Sequence, residues 1–418
     1  MIKGFLTVLL LTFFMLSHAS SALAALKFHG FIEGSGSIRP GDELTENHGY
    51  NLYEGRFQLK TTYYPSLLED YSSEVVFKGE IVGDGYDGEV RAELREMYIA
   101  LSPLDSLDVR VGRQVLTWGL GDLLFINDLF PKDHVSFFIG RDQEYLKLPS
   151  DALRMSFFFD KLSADVVVLP LFTPSITPSG ERISVYDPFY GSIRGEAIEW
   201  HFDEPENGEL AARLYGNFSG TELAAYFFNG FYKEPKGIKD PSVPLFDYPR
   251  LNVYGASLRT TVIGGIISLE GGYYFSVDDS AGTDNYIENS MVKALIAYER
   301  DLGGDLGVSV QYYIESMMDF DEYKAALEPG SKVRDENRGI VTVRITKLAL
   351  SQTLRLSLFA FLSPTDNDSY LRPTASYDLN DKVKITFGAN IFSGKDDHTD
   401  FGQLRGNDNL YLRVRYSF

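Results

Sequence analysis

Metal or nucleophilic chemistry has little to work with in this chain. Its six histidines (His18, His29, His48, His134, His201 and His398) form no pair at metal-ligand spacing, and there is no cysteine to supply a thiolate, so no metal or other cofactor is expected. Gly119-Leu120-Gly121 lacks the remaining glycines of a dinucleotide loop, and no phosphate loop or nucleophile elbow occurs. The run Asp396-Asp397-His398-Thr399-Asp400 carries enough carboxylates for calcium, against the simpler reading of a solvated loop. What the sequence does repeat is positive charge at alternate positions of short segments: Arg56, Lys60, Lys78, Arg91, Arg95, Arg110, Arg213, Arg259, Lys293, Arg344, Arg355, Lys384, Arg413 and Arg415. Alternate residues of a strand share one face, so this spacing gathers cations on one side of a sheet. A concave wall of that kind focuses potential and favours anions. The same alternation assigns Glu54, Glu80, Glu93, Glu209, Glu270, Glu299 and Glu315 to that side, and neutralisation between neighbouring strands is the competing expectation. The whole chain has 39 Lys and Arg against 59 Asp and Glu, which leaves the excess acid to loops and turns.

The elements that position these charges are strands. After residue 24 no apolar run reaches the length of a membrane helix, and the mean hydropathy of -0.13 is that of a water-soluble chain. Yet 14% aromatic residues, 38 glycines and period-2 alternation throughout indicate a large all-β protein. A membrane barrel reconciles the two, because only every second residue faces lipid. Clear alternating segments fall at 53–61, 74–82, 90–101, 107–115, 209–217, 251–262, 292–298, 308–315, 340–346, 354–361, 383–392 and 410–418. The whole pattern gives about 18 antiparallel strands, with 16 as the alternative, in an up-and-down transmembrane β-barrel. Tight connections (103–106, 160–163, 219–221, 263–266, 301–305, 350–352, 379–382) alternate with long polar ones (117–150, 173–207, 231–249, 278–289, 318–338, 394–407), as short periplasmic turns and long external loops do in outer-membrane barrels. Within 383–392, Val383, Ile385, Phe387 and Ala389 are expected toward lipid and Lys384, Thr386, Gly388 and Asn390 toward the lumen. Arg113 breaks the alternation begun at Arg110, so Gly112 is expected to mark a bulge.

Both ends carry signals. Residues 1–24 combine Lys3, an apolar stretch from Phe5 to Leu16 and Ala22-Leu23-Ala24, the charged, apolar and cleavage regions of a secretory signal peptide, which leaves 25–418 as one barrel domain. At the other end Leu410, Leu412, Val414, Tyr416 and Phe418 alternate with Tyr411, Arg413, Arg415 and Ser417. A bare aromatic edge of this kind must be paired, and closure against the first strand near 27–38 pairs it. Tyr416 and Phe418 are expected to form the signal read by the barrel-assembly machinery.

The connection 117–150 is the third external one and holds Leu123, Leu124, Phe125, Ile126, Leu129, Phe130, Phe137 and Phe138, too many apolar residues for a solvated loop. It is expected to fold into the lumen as a constriction that includes Phe125, Asn127, Asp128, Phe130 and Asp133; an external lid packed on itself is the alternative.

Leu94-Arg95-Glu96-Met97-Tyr98, Arg110-Val111-Gly112-Arg113-Gln114 with Trp118-Gly119, and the closing run from Tyr370 through Gly402-Gln403 to Tyr416-Ser417-Phe418 resemble an incompletely characterised group of proteobacterial outer-membrane porin-like proteins, neighbours of the alginate-export channels. That family often follows its Trp-Gly with an Asn-Pro loop, whereas this chain has Asn127-Asp128 and Pro131-Lys132-Asp133. The resemblance implies a channel in a Gram-negative outer membrane. Together these observations lead to the expectation of a non-enzymatic porin-like channel for small polar solutes, anionic ones or an acidic polysaccharide above all. It would sit among outer-membrane lipid and lipopolysaccharide and have no nucleic-acid partner. A loop-plugged structural or adhesin-type barrel and an outer-membrane hydrolase are the rival classes.

Overall fold

The computed structural model describes residues 26–40, 49–66, 71–327 and 332–418; residues 1–24, where a signal peptide is expected, lie outside them. Eighteen long strands close into one antiparallel sheet. In chain order they are β1 (Leu26–Ile38), β2 (Tyr53–Tyr63), β3 (Glu74–Asp84), β4 (Glu89–Leu104), β5 (Leu107–Val115), β6 (Pro149–Phe158), β7 (Ser163–Leu169), β11 (Glu209–Phe218), β12 (Thr221–Phe231), β15 (Arg250–Val262), β16 (Gly265–Ser276), β17 (Met291–Asp301), β18 (Leu306–Met317), β19 (Asn337–Ala349), β20 (Leu354–Ser363), β21 (Asp368–Asp378), β22 (Val383–Ser393) and β23 (Asn409–Ser417). The intervening numbers belong to short strands in the long loops: β8 (Val185–Asp187), β9 (Ser192–Arg194), β10 (His201–Asp203), β13 (Gly237–Asp240) and β14 (Leu245–Asp247).

Each strand pairs with its successor in the wall, and β23 pairs with β1 in a register that sets Arg415 opposite Glu33 and Arg413 opposite Ser35. Closure extends to the last residue, since Phe418 N–H donates to Gly30 O at 2.9 Å and Gly30 N–H donates to Phe418 O at 3.1 Å. The Phe418 ring stacks on Phe57 at 6.1 Å. Outward positions carry the exposed apolar residues, among them Phe57, Val111, Leu356, Phe387, Leu412, Val414 and Tyr416. A closed barrel with an apolar outside is the strand solution to a lipid environment, because every wall hydrogen bond is made and no edge is left.

The tight turns lie at one end of the barrel and the long loops, with their small sheets, at the other. The turns 85–88 and 364–367 are short members of the long-loop end. Long loops are the external ones in such barrels. Epitope tags placed in 170–208 or 394–408 are therefore expected to bind antibody on intact cells, and tags in 302–305 or 379–382 only after permeabilisation; the reverse pattern would invert the topology.

One local expectation is corrected. Gly112 pairs in unbroken register with Tyr98 and Ala152 and marks no bulge. The irregularity falls one strand earlier, between Lys78 and Gly79 opposite Arg95, and turns both Arg95 and Glu96 inward. Arg113 stays on the outer face, where it pairs with Asp151 at 3.1 Å and donates through Nε to Leu94 O.

Candidate functional site

Residues 116–148 leave the wall after β5 and fold inside the barrel as two lobes joined by a waist. The first lobe, 118–127, crosses to β16, β18 and β19. Glu270 of β16, 4% exposed, is its anchor. One carboxylate oxygen accepts the backbone N–H groups of Leu120 (2.7 Å) and Gly121 (3.0 Å), and the other accepts the backbone and side-chain N–H of Asn127, both at 2.9 Å. Gly119-Leu120-Gly121 thus cradles a carboxylate of its own chain rather than a phosphate. Gly119 takes φ +83, and a Cβ there would lie 2.8 Å from Glu270 Oε1. At the lobe's tip Arg344 holds Asp122 by two bonds, Nη2 to Oδ1 at 2.7 Å, while Gln311 closes a reciprocal pair with the Asp122 backbone.

The waist is a buried ion pair. Lys132 Nζ donates to Asp128 Oδ1 at 3.0 Å and to Phe130 O at 2.6 Å, and Asp128 Oδ2 accepts from Thr117 at 2.8 Å. Burial pushes the Lys132 ammonium below its ordinary value, against the opposing pull of Asp128.

The second lobe begins with helix α1 (His134–Ile139), capped by Asp133, whose carboxylate accepts Ser136 N–H at 2.7 Å. It runs along β20–β23 and β1–β4 and is tied down by charge. Arg141 holds Glu54, Asp142 holds Arg413 at 2.7 Å, and Glu144 takes Lys78 at 3.0 Å and Arg415 at 3.3 Å. Tyr145 donates to Glu80 at 3.1 Å and lies under the Arg56 guanidinium. Apolar contacts do the rest: Phe137 and Phe138 pack on Phe361, Tyr370 and Phe392 of the inner wall. The inner face is thus aromatic where it meets the loop, a departure from the simple rule of polar residues inside.

The structure gives each expected lumen cation a place. Arg56 is buried between Glu54 and Glu80. Arg95 donates to the carbonyls of Glu144 and Lys147. Arg91 sits at the outer rim with Asp84 and Asp87. Arg213 pairs with Asp165, Arg259 with Glu299, Lys293 with Glu315 and Lys384 with Asp378. Neutralisation between neighbours therefore accounts for most of the set. Lys60, Arg110 and Arg355 have no carboxylate partner among the described residues; Arg110 lies over the Tyr98 ring. To these the structure adds Arg372, which alternation alone did not single out. Its side chain is inward and 8% exposed, with the guanidinium 3.9 Å from the Phe137 ring centroid and Nε unbonded. The available signal was Leu371-Arg372-Pro373-Thr374, an alternating stretch that the proline made hard to read as strand.

Of the expected loop residues, Asn127, Asp128 and Asp133 are buried anchors, Phe130 packs edge-on against Trp118, and Phe125 is partly open. Above the loop lies a vestibule of about 1020 Å³. Its lining carries ion pairs such as Glu288 with Arg334 and Arg338 with Glu315. His134 meets Glu234 at 3.3 Å; burial alone would raise the Glu234 carboxyl, but His134, Lys236 and Lys132 hold it down at about 2. The carboxylates of 396–400 are engaged with cations, Asp396 with Lys332, Asp397 with Arg405 and Asp400 with Arg338.

No protein-family model matches the chain. No curated protein matches it in sequence. Among solved structures it is similar to OccD3 (OpdP) of Pseudomonas aeruginosa, with a TM-score of 0.55 and 11% identity over 94% of this chain and 91% of that one. It is also similar to OccAB4 of Acinetobacter baumannii, with a TM-score of 0.54 and 11% identity over 94% and 97%. At that identity the likeness is one of fold.

Proposed function

We propose that the barrel is a channel of the Gram-negative outer membrane through which small polar solutes diffuse passively, anions ahead of cations. The closed wall of 18 strands and the loop that narrows it support the channel. The anion preference rests on one observation: in the section narrowed by the loop most inward carboxylates are taken up by cations or by loop N–H groups, whereas Arg372 there, and Lys60, Arg110 and Arg355 nearer the short turns beside the unpaired Glu74, Asp108 and Glu222, have no carboxylate in ion-pair contact among the described residues. Low-dielectric walls make such a surplus count for more inside a narrow lumen than on an open surface, where salt screens it within about 10 Å. An acidic polysaccharide, as the likeness to alginate-export neighbours implies, would use the same groups. Lipopolysaccharide would surround the wall, and the assembly machinery would engage the terminal strand.

A reversal potential across a potassium chloride gradient tests the preference. Chloride is expected ahead of potassium, and changing Arg110, Arg355 and Arg372 together to Gln is expected to move the value toward the cation side. Potassium ahead of chloride in the unaltered protein would falsify the proposal, and silence at all voltages would favour a plugged structural barrel.

A further inference from the structure

The charged lining of the vestibule gives way, toward its inner end, to an apolar collar. From the long-loop end, the inward residues of β19 run Arg338, Ile340, Thr342 and Arg344, and those of β20 run Ser363, Phe361, Phe359, Ser357 and Arg355. The vestibule touches the wall of these two strands as far as Ile340 and Phe361 and no deeper. Phe137 of the second lobe packs against Phe361, and Leu123 and Phe125 of the first lobe and Phe138 of the second line the same cavity. Leu123, Phe125 and Phe138 are only partly buried, so their open sides belong to the cavity.

The polar groups of the same loop segments are turned elsewhere: Asp122 to Arg344, Asn127 to Glu270, the Ile126 carbonyl to Tyr274. No side chain of the six can donate or accept a hydrogen bond. Beyond the collar, past Thr342, lie Arg344 on β19, paired with Asp122, and Arg372 on β21, lodged against Phe137. Leu123 holds φ +61, a left-handed conformation that a leucine occupies at a cost and glycine or asparagine would occupy freely. The chain keeps an apolar side chain there against that local preference.

An apolar constriction is poor ground for a hydrated ion, which finds nothing to replace the water it sheds, and narrow ones exclude water altogether. The apolar part of an organic solute, by contrast, gains from leaving water on the same surface. We infer that the open faces of Leu123, Phe125 and Phe138, bordered by the buried Phe137, Ile340 and Phe361, form a hydrophobic filter that selects anions by their organic body. An anion with an aromatic or branched aliphatic body then crosses faster than an inorganic or hydroxylated anion of equal charge. The inference rests on the channel proposed above, yet it can fail while that channel and its anion preference stand.

The probes are two permanently charged sulfonates that differ only in body, benzenesulfonate and 2-hydroxyethanesulfonate, each set against chloride under bi-ionic conditions in a planar bilayer. Benzenesulfonate, although larger, is expected to be severalfold more permeant. Leu123→Asn and Phe125→Gln are expected to raise conductance in potassium chloride and to abolish the difference between the sulfonates. Ile340→Thr, on the wall, makes the same test without touching the loop. Equal or greater permeation by 2-hydroxyethanesulfonate, or an undiminished difference in all three variants, would overturn the filter. Failure of every ion to pass would overturn the channel with it.

Discussion

Replacing Glu270 by leucine is expected to free the first lobe and convert a narrow channel of constant conductance into a wider one with severalfold higher, fluctuating current. Four N–H groups, those of Leu120, Gly121 and the two of Asn127, converge on this carboxylate. Leaving buried donors unsatisfied costs about 1–3 kcal/mol each, and together they exceed what holding the lobe in place can return. The remaining ties are the Gln311 pair with the Asp122 backbone, the Tyr274 bond to the Ile126 carbonyl, and Asp122 with Arg344, a partly solvent-exposed ion pair of a kind that contributes only about 0–1 kcal/mol. The wall itself should survive, because Glu270 makes no bond that joins β15 to β16 or β16 to β17 other than through its backbone. Heat-modifiability of the purified protein reports on the wall, and single-channel recording reports on the lobe. A folded Glu270→Leu barrel with unchanged, steady conductance would show that this carboxylate does not set the bore. Glu270→Gln, which keeps one acceptor oxygen, is expected to fall between the two.

The second large effect is on biogenesis. Deleting Phe418, or changing Tyr416 and Phe418 together to Ala, is expected to cut the yield of folded barrel about tenfold and to leave unfolded chain in the periplasm. Phe418 completes the seam by exchanging two backbone bonds with Gly30, and its ring fills the space beside Gly30, where a Cβ would meet it at 2.7 Å. Tyr416 continues the outward aromatic row one turn of the pleat earlier and is 43% exposed. The measurement is the heat-modifiable fraction on a gel, with periplasmic protease sensitivity alongside. A wild-type yield of folded protein in the double variant would show that the terminal aromatics are ordinary lipid-facing residues.

The wall could be read from sequence because its code is local. In 354–358 or 410–416 each residue declares its face by its own polarity, and the turns fall in short breaks of the alternation, some of them marked by glycine or asparagine. The loop could be recognised as misplaced in solvent, since Phe125, Phe137 and Phe138 demanded a surface. Its partners could not be named. Glu270 looks like any inward acid, and only the fold brings it to Gly119-Leu120-Gly121, about 150 positions away in sequence. The same non-locality hid the fate of the basic row: Arg413 and Arg415 read as free wall charges until the loop delivers Asp142 and Glu144 to them. Arg113 misled for the opposite reason, as an outward arginine breaks the polarity rule and finds its answer in Asp151 on the next strand.

The two-lobed loop also orders events in time. Its attachment points are spread around the whole circumference, from Glu54 on β2 to Glu270 on β16, Arg344 on β19 and Arg413 on β23. The site for residues 134–146 straddles the seam between β23 and β1, so half of it does not exist until the last strand has met the first. Docking of the second lobe must therefore follow ring closure, and the newborn cylinder passes through a stage in which it is already sealed against lipid yet not narrowed. In a refolding experiment followed by current, the bore would open first and tighten afterwards.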